Sequence, residues 1–405
     1  MPERPPAITM EVLPAGYGDC ILITCPIGSG RSLCDWRMLI DTGPDECWPR
    51  LKKCLAAIPP SDDGTRFIDV FVVSHIDHDH IGGARLLLED RDLHLKFGDI
   101  WFNAPMLTVE AGRVGGVAEG HTLSKLLGAS AGRRLPWNLA FGGDHAVTPA
   151  TGRPHAVPTA RGHPRITLLS PDPSRLASLF KVWARELERL HKKEHNERVE
   201  PPRVGRAGLL DLAALAVKTT AVDRAAPNGS SIAFLLEHRG ASILLAADAF
   251  PQVLASALES LAAERRTQGQ GAPGTSVHSP LKLDVFKLSH HGSRANTTLD
   301  LLDAVRADHY VVSTNGAIFG HPNDEALARV IMRGGKGSTL WFNHASGDFG
   351  ERLKRWTDPD MKEKYGYQVA TPARDLDGIT LRIAPASPQS EQGRPAPRST
   401  KLPRR

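Results

Sequence analysis

Short hydrophobic runs that end in glycine or in polar residues are the main pattern along this chain. Runs with the length and composition of β-strands occupy residues 8–13, 21–24, 38–40, 67–73, 283–289 and 309–314. Residues 228–248 predict a β-hairpin, because two apolar runs flank a short polar turn. The pattern therefore predicts paired strands with clusters of polar residues at their ends.

Two segments interrupt this pattern and a third ends it. Residues 106–165 are rich in Gly, Pro, Arg and His with little periodicity, which predicts either a lid over a site or a surface loop. Residues 174–200 predict an amphipathic helix, whose basic face is either solvated or a contact for a phosphate backbone. Residues 385–405 predict a disordered basic tail. We expect a single domain over residues 1–384, with insertions at about 106–165 and 174–226.

Composition places the chain among globular proteins. With 405 residues, of which 41% are hydrophobic and 23% charged, it is long enough for one large domain or two smaller ones. No apolar run is long enough to span a bilayer, so we expect no membrane association. A net charge of +5 is compatible with an anionic substrate. Oligomeric state is not indicated by any pattern in the sequence.

The cysteines indicate a reducing environment. None of the five forms a Cys-x-x-Cys pair, and all lie near the start of the chain, at Cys20, Cys25, Cys34, Cys47 and Cys54. No apolar leader precedes them. We therefore expect buried, reduced thiols in a cytoplasmic protein, with a cysteine zinc site as the alternative.

The densest group of titratable residues directly follows a predicted buried strand. Its candidate metal ligands are His75, Asp77, Asp79 and His80. Neutral imidazole and carboxylate bind divalent metals, and a metal would offset the repulsion within such a group. His75 and Asp77 point the same way in an extended backbone, whereas Asp79 and His80 can face a second position. The spacing therefore predicts two divalent metal ions, and the alternative is a solvated turn.

Further candidate ligands end later strands. Asp248 closes the second arm of the hairpin, where it predicts a carboxylate bridging two ions or, alternatively, a helix N-cap. Of His290 and His291, one can bind a metal while the other contacts substrate or donates a proton to a leaving group, and we favour His291 as the ligand. His321 is a further ligand, a substrate contact or a structural loop residue.

The order of these motifs resembles one protein family. The motifs are Gly16-Tyr17-Gly18-Asp19, Asp41-Thr42-Gly43, the stretch from His75 to Gly83, Asn228 to Ser231, Asp248, His290 to Ser293 and Gly320-His321-Pro322. Together they resemble the soluble metallo-β-lactamase-like domain of ComEC-type competence proteins, within the metallo-β-lactamase superfamily. The resemblance covers about residues 8–383 and implies an α/β (α+β) fold, the four-layer αββα sandwich of that superfamily.

The resemblance also implies a function and residue roles. It implies a metal-dependent hydrolase of phosphodiesters, with nucleic acid as a candidate substrate. Asp41 would support the metal loop by hydrogen bonds to its backbone or its histidines. Asp19, Asn228, Ser230 and Ser293 would support the ligands or contact substrate.

The chain departs from the family pattern in three respects. Asp77 stands where the family's His-x-His-x-Asp-His loop has its second histidine, so manganese or iron is an alternative to the zinc that we expect. Asn228 or Ser230 replaces a histidine at the start of the hairpin, so a mononuclear site is an alternative. The membrane-spanning regions of ComEC-type proteins have no counterpart, and we do not expect a role in DNA import.

These residues predict metal-assisted hydrolysis. A water between the two ions loses a proton, and the metal-bound hydroxide attacks phosphorus in line. Asp79 takes part both as a ligand and in catalysis, while His290, or Lys287 if it faces inward, protonates the leaving group or holds the phosphate. The alternatives are another ester hydrolase of the same fold, for phosphorylcholine, thioester or lactone substrates, and a binding module without catalysis.

Overall fold

The structure is a computed structural model that describes residues 7–105, 117–128, 135–191, 210–268 and 279–385. In these ranges the chain is a mixed α/β protein with two mixed β-sheets. The strands are β1 (Ile8–Val12), β2 (Ile21–Ile27), β3 (Cys34–Ile40), β4 (Arg66–Val72), β5 (Leu95–Trp101), β6 (His155–Val157), β7 (Arg165–Ser170), β8 (Ala233–His238), β9 (Ala241–Leu245), β10 (Leu281–Lys287), β11 (Val305–Val312), β12 (Thr339–Phe342), β13 (Gln368–Ala370) and β14 (Ile379–Ile383). The helices are α1 (Trp48–Ala56), α2 (His78–Ile81), α3 (Ala84–Glu89), α4 (Val117–Leu127), α5 (Pro173–His191), α6 (Leu212–Val217), α7 (Ala226–Gly229), α8 (Pro251–Thr267), α9 (Leu299–Ala304), α10 (Asp324–Gly334), α11 (Gly347–Thr357) and α12 (Pro359–Tyr365).

Both sheets combine antiparallel and parallel strands. The first sheet has the order β14-β1-β2-β3-β4-β5, with β3, β4 and β5 parallel. The second has the order β13-β12-β11-β10-β9-β8-β7-β6, with β9 to β13 parallel. Parallel neighbours end at the same edge of a sheet, so the loops after β3 and β4 meet each other, as do those after β9, β10 and β11.

Hydrophobic side chains pack on both faces of each sheet. In β10, Val285 joins a cluster drawn from both sheets, whereas the next residue, Phe286, packs in a cluster with side chains of α8 to α11. In β4, Val72 joins the shared cluster, while Phe71 packs with side chains of α1, α3 and α5. Because both faces are covered, a strand such as β8 is buried along its whole length and shows no polar alternation.

The predicted strands and hairpin are present, which confirms the mixed α/β class. The hairpin consists of β8 and β9, and its turn residues Arg239 and Gly240 have positive φ (49° and 83°), as tight two-residue turns require. One detail of the prediction is wrong. Asn228 lies in the one-turn helix α7 rather than in a strand, because Pro227 at the start of that helix favours helical φ.

The first expected insertion contains regular elements that the sequence pattern did not predict. Helix α4 and strand β6 lie within residues 106–165, and β6 pairs with β7 at the edge of the second sheet. The helical pattern of α4 is obscured by Gly120, where a Cβ would lie 2.5 Å from the ring of Trp183. Residues 106–116 and 129–134 are outside the described residues.

The predicted amphipathic helix corresponds to α5. Its apolar residues Leu176, Leu179 and Trp183 are buried, and its basic residues Lys181 and Arg185 are exposed. The rest of that helix prediction, residues 192–200, lies outside the described residues, as does the predicted basic tail at residues 386–405. Residues 201–209 and 269–278 are outside them as well.

The five cysteines are free thiols. Burial raises the pKa of the Cys20 and Cys47 thiols, as expected for reduced, inert side chains. Cys34 is exposed, so the expectation of burial is wrong there. No cysteine belongs to a group that could hold a metal among the residues that the structure describes, which leaves the cysteine zinc site unsupported.

Arg329, on α10, is a buried cation that hydrogen-bonds to two backbone segments, residues 216–218 and 294–297. Its guanidinium donates hydrogen bonds to the carbonyls of Ala216 (3.1 Å), Lys218 (2.7 Å), Arg294 (2.8 Å) and Thr297 (2.9 Å). Removing it would take this donor away from all four carbonyls, of which those of Ala216 and Thr297 accept in buried surroundings.

We predict that Arg329→Met lowers the free energy of unfolding by about 3 kcal/mol, because buried acceptors lose their donor while the apolar side-chain volume is kept. The matched control is Arg333→Met on the same helix, which removes an exposed ion pair with Asp303 (2.9 Å) and should cost less than about 1 kcal/mol. Urea unfolding measures both changes. Equal losses in the two variants would contradict the structural role of Arg329.

Candidate metal centre

Loops at the ends of β4, β9 and β10 bring imidazoles and carboxylates together in what we call the His/Asp cluster. Its members are His75, Asp77, Asp79, His80, Asp248, His290 and His291. Asp77 and His290, with 38% and 22% of their side chains exposed, form its accessible rim. The other members are buried.

The loop after β4 is shaped by a short helix and a close backbone approach. Asp77 is the N-cap of α2, so Asp79 and His80 project from its first turn. Gly82, at the end of α2, has no room for a side chain, because a Cβ there would lie 2.7 Å from the His78 carbonyl oxygen and 2.8 Å from Asp45 N. Glycine at position 82 therefore lets the loop after β4 approach the segment that follows β3.

Asp41, directly after β3, orients this loop through hydrogen bonds on the side away from the centre of the cluster. Its carboxylate accepts hydrogen bonds from the N–H and hydroxyl of Ser74 and from His80 Nδ1, each at 2.7 Å. The Ser74 hydroxyl, whose proton is donated to Asp41, can accept from His75 Nδ1 at 3.0 Å. These bonds assign the proton of each imidazole to Nδ1, so His75 and His80 present Nε2 lone pairs to the cluster.

Acceptor atoms face one another at the centre of the cluster. His291 Nδ1 donates to the Ser313 carbonyl at 2.7 Å, so its Nε2 also presents a lone pair, 3.3 Å from Nε2 of His80. Asp79 Oδ2 is 3.1 Å from His291 Nε2, and Asp248 Oδ1 is 3.5 Å from His80 Nε2. This arrangement needs positive charge between the atoms, either added protons or a metal ion.

A second group of acceptors adjoins the first. His75 Nε2 is 3.6 Å from Asp77 Oδ2 and 3.8 Å from Asp248 Oδ2, and His290 Nε2 is 3.6 Å from the same oxygen of Asp248. These separations are too long for hydrogen bonds, but two ligands that each lie about 2.1 Å from one tetrahedral ion are about 3.4 Å apart. His75 Nε2 and Asp248 Oδ1 are buried and have no hydrogen-bond partner among the described residues. The donor set fits a divalent cation.

Two triads of the cluster could each hold a metal ion. One consists of His75, His80 and Asp248, and the other of Asp79, His80 and His291. From the sequence we expected His75 and Asp77 to face one position, and Asp79 and His80 to face a second one. In the structure His80 Nε2 is shared between both triads, because the hydrogen bond from Nδ1 to Asp41 directs the ring to the middle of the cluster.

Neighbouring charges displace the pKa values of the cluster. Burial alone would lower the pKa of His291, but the carboxylates of Asp19 and Asp248 outweigh it and raise that pKa to about 9. Burial likewise opposes the charge on His80, yet the surrounding carboxylates raise its pKa well above the usual value. For Asp248, burial favours the neutral acid, but the imidazoles, led by His290, hold its pKa well below the usual range. The carboxylate of Asp248 is therefore ionised and electrostatically suited to a cation.

Lys287 faces away from the opening of the cluster. Its Nζ, 1% exposed, donates to Asp19 Oδ2 at 2.5 Å and to the Leu288 carbonyl at 3.2 Å. The other Asp19 oxygen is 3.4 Å from His291 Nδ1. The structure therefore does not support Lys287 as a proton donor to a leaving group, because its ammonium is held behind His291 by Asp19.

Other predicted site residues lie around the cluster rather than in it. The ring of His321 is 5.1 Å from that of His290, and burial together with the neighbouring imidazoles lowers its pKa to about 3. His321 belongs to neither triad. Ser230 Oγ donates to the Pro227 carbonyl at 2.6 Å, and Ser293 N–H donates to the His290 carbonyl at 2.8 Å, so both shape local turns.

Sequence analysis missed two residues that hold His290. Asp223 Oδ2 lies 3.2 Å from His290 Nδ1 and accepts from the amides of Asn228 (2.7 Å) and Asn296 (3.0 Å). Burial would raise the pKa of Asp223, but these hydrogen bonds and one from the backbone lower it to about 2. Asn296 also donates to the Asp248 carbonyl at 3.2 Å. Neither residue ends a strand or belongs to a motif, so only their positions in space reveal the role.

Comparison with models of known protein families gave no match to this chain, and comparison with curated proteins gave none either. In the described part of the chain, no helix has the length and hydrophobicity needed to cross a membrane. What the chain does must therefore be inferred from the geometry of the His/Asp cluster.

We predict that Asp41→Asn weakens zinc binding about 10- to 100-fold, because the amide cannot accept all three hydrogen bonds that orient Ser74 and His80. Asparagine tolerates the positive φ of this position (55°), so the backbone should persist. The control is Asp303→Asn, an exposed carboxylate that pairs with Arg333 at 2.9 Å, which should leave affinity unchanged. Competition with a fluorescent chelator measures both, and unchanged affinity in Asp41→Asn would contradict the role of Asp41.

Proposed function

We propose that this protein is a metal-dependent phosphodiesterase with the four-layer αββα fold of the metallo-β-lactamase superfamily. The fold proposal is supported by the hydrophobic cluster shared between the two sheets and by the separate clusters that helices form on their other faces. The order of the motifs in the sequence supports it as well. The observation that carries the function is the convergence of imidazole Nε2 atoms and carboxylates: His80 Nε2 lies 3.3 Å from His291 Nε2, and oxygens of Asp79 and Asp248 lie within 3.5 Å of one or other of them.

The metal proposal is for two divalent ions, with zinc first and manganese or iron as alternatives. One ion would be held by Asp79, His80 and His291, and the other by His75 with Asp77, with Asp248 shared between them. The carboxylate of Asp77 is a harder ligand than imidazole, and therefore manganese and iron are alternatives to zinc. When bound, such ions supply Lewis-acid stabilisation of phosphoryl oxygens and an activated water.

The remaining chemistry belongs to residues of this chain. His290 is at the accessible rim, and Asp223 and Asn296 fix its Nδ1 side, so Nε2 is directed to the cluster. That position suits transfer of a proton to the leaving oxygen of a phosphodiester. Asp41 and Asp19 act through other residues, since they contact His80 and His291 on the sides away from the centre.

We predict that Asp248→Ala reduces hydrolysis of bis(p-nitrophenyl) phosphate by about 1,000-fold or more, since losing the shared ligand removes several kcal/mol of transition-state stabilisation. EDTA should abolish the wild-type activity, and added zinc or manganese should restore it. The control is Asp303→Ala, an exposed carboxylate on α9, which should keep wild-type activity.

The same assay should include p-nitrophenyl acetate, a thioester and a lactone, because bound ions polarise carbonyl groups as well. Faster turnover of a carbonyl substrate than of the phosphodiester would contradict the proposed substrate class. Activity that survives EDTA, or that persists in Asp248→Ala, would contradict the metal mechanism.

A further inference from the structure

Two aromatic side chains from distant parts of the sequence meet beside the His/Asp cluster. The ring of Phe319 packs edge-on to that of Tyr17, with centroids 6.2 Å apart, and stacks on His321 at 6.1 Å with an interplanar angle of 28°. The overall aromatic content is low, at 6%, so composition did not suggest a stacking surface.

The two rings that contact Phe319, those of Tyr17 and His321, each lie near residues of the cluster. On one side, the ring of His321 is 5.1 Å from that of His290, whose Nε2 is 3.6 Å from Asp248. On the other side, Tyr17 is two residues before Asp19, whose N–H donates to the Asp79 carbonyl at 3.1 Å. Phe319 is therefore separated only by His321 from His290 at the accessible rim, and we call this side of the cluster its mouth.

Phe319 is held in an exposed position. Its exposed fraction is 48%, and Gly316 and Gly320 bracket its loop with positive φ (71° and 66°). Arg352 Nη2 clamps the loop by donating to the carbonyls of Gly320 (2.9 Å) and Pro322 (2.8 Å). An exposed phenyl ring that the backbone holds beside a polar cluster can stack on a ring of a ligand.

We propose that Phe319 stacks on the base next to the scissile phosphate, so that the substrate is single-stranded nucleic acid. A nucleotide carries its phosphate and its base on opposite sides of a sugar, and the mouth presents a cation-binding cluster and an exposed ring separated by His321. Only an unpaired, unstacked strand offers a base face, since bases in a duplex cover one another. This inference rests on the proposed phosphodiesterase function.

The test measures binding as well as turnover. A single-stranded oligonucleotide with 2-aminopurine beside its central phosphate is titrated into EDTA-treated protein, and stacking is followed by fluorescence quenching. Phe319→Ala should weaken binding about 10-fold (about 1.4 kcal/mol), because it removes the aromatic face on which the base stacks. Phe319→Trp should bind like the wild type. Ile318→Ala is the matched control, since Ile318 is 42% exposed on the same loop and should leave binding unchanged.

An oligonucleotide with an abasic site at the same position completes the comparison. Wild-type protein should bind the abasic strand as weakly as Phe319→Ala binds the intact strand. On the abasic strand, Phe319→Ala and wild type should bind equally, because no base is present to stack. Equal effects of Phe319→Ala on intact and abasic strands, or equal wild-type binding of the two, would overturn the inference.

The two proposals fail in different ways. Quenching that depends on both the base and Phe319, with no hydrolysis under any metal, would support the stacking inference and overturn the phosphodiesterase. Metal-dependent hydrolysis with the same KM in Phe319→Ala and wild type would overturn the stacking inference and leave the phosphodiesterase standing.

Discussion

The structure depends on one electrostatic constraint, the meeting of lone pairs from His80 and His291 at 3.3 Å inside a set of ionised carboxylates. Each imidazole is locked by an acceptor on its outer side, Asp41 for His80 and Ser313 for His291, so neither ring can turn to relieve the contact. Positive charge must then occupy the centre. Protons can supply it, and the carboxylates favour them by raising the pKa values of His80 and His291. A divalent ion supplies it while also satisfying the ligand atoms.

The two sheets make this arrangement possible because several parallel strands end close together. Backbone hydrogen bonds also link the loops of one sheet to those of the other, as in Ile232 N–H to the Ser74 carbonyl and Asn315 N–H to the Gly16 carbonyl. The outer supports come from the same loops, including the Lys287–Asp19 ion pair. A ligand set drawn from both sheets can be held only if the sheets pack together, so the shared hydrophobic core also fixes the geometry of the site.

Much of this could be predicted from sequence because local patterns carry it. Apolar runs predicted the strands, and three of them lead into residues of the cluster: β4 into His75, β9 into Asp248, and β10 into His290 and His291. Three features of the site could not be predicted: His80 belongs to both triads, Lys287 is held by Asp19 behind His291, and Asp223 supports His290. Each depends on the direction of a side chain in three dimensions, which spacing in the sequence does not encode. Helix α4 was missed because tertiary packing against Trp183 demands glycine where a helix would otherwise carry a side chain.

The most direct test of the account is the number of transition-metal ions bound per chain, measured by elemental analysis of protein purified without chelators. The account predicts close to two ions in the wild type. It predicts one or none in His80→Ala, because His80 belongs to both triads. A wild type without bound metal that also fails to take up zinc, or a His80→Ala variant with the wild-type content, would contradict the claim that this cluster is a metal centre.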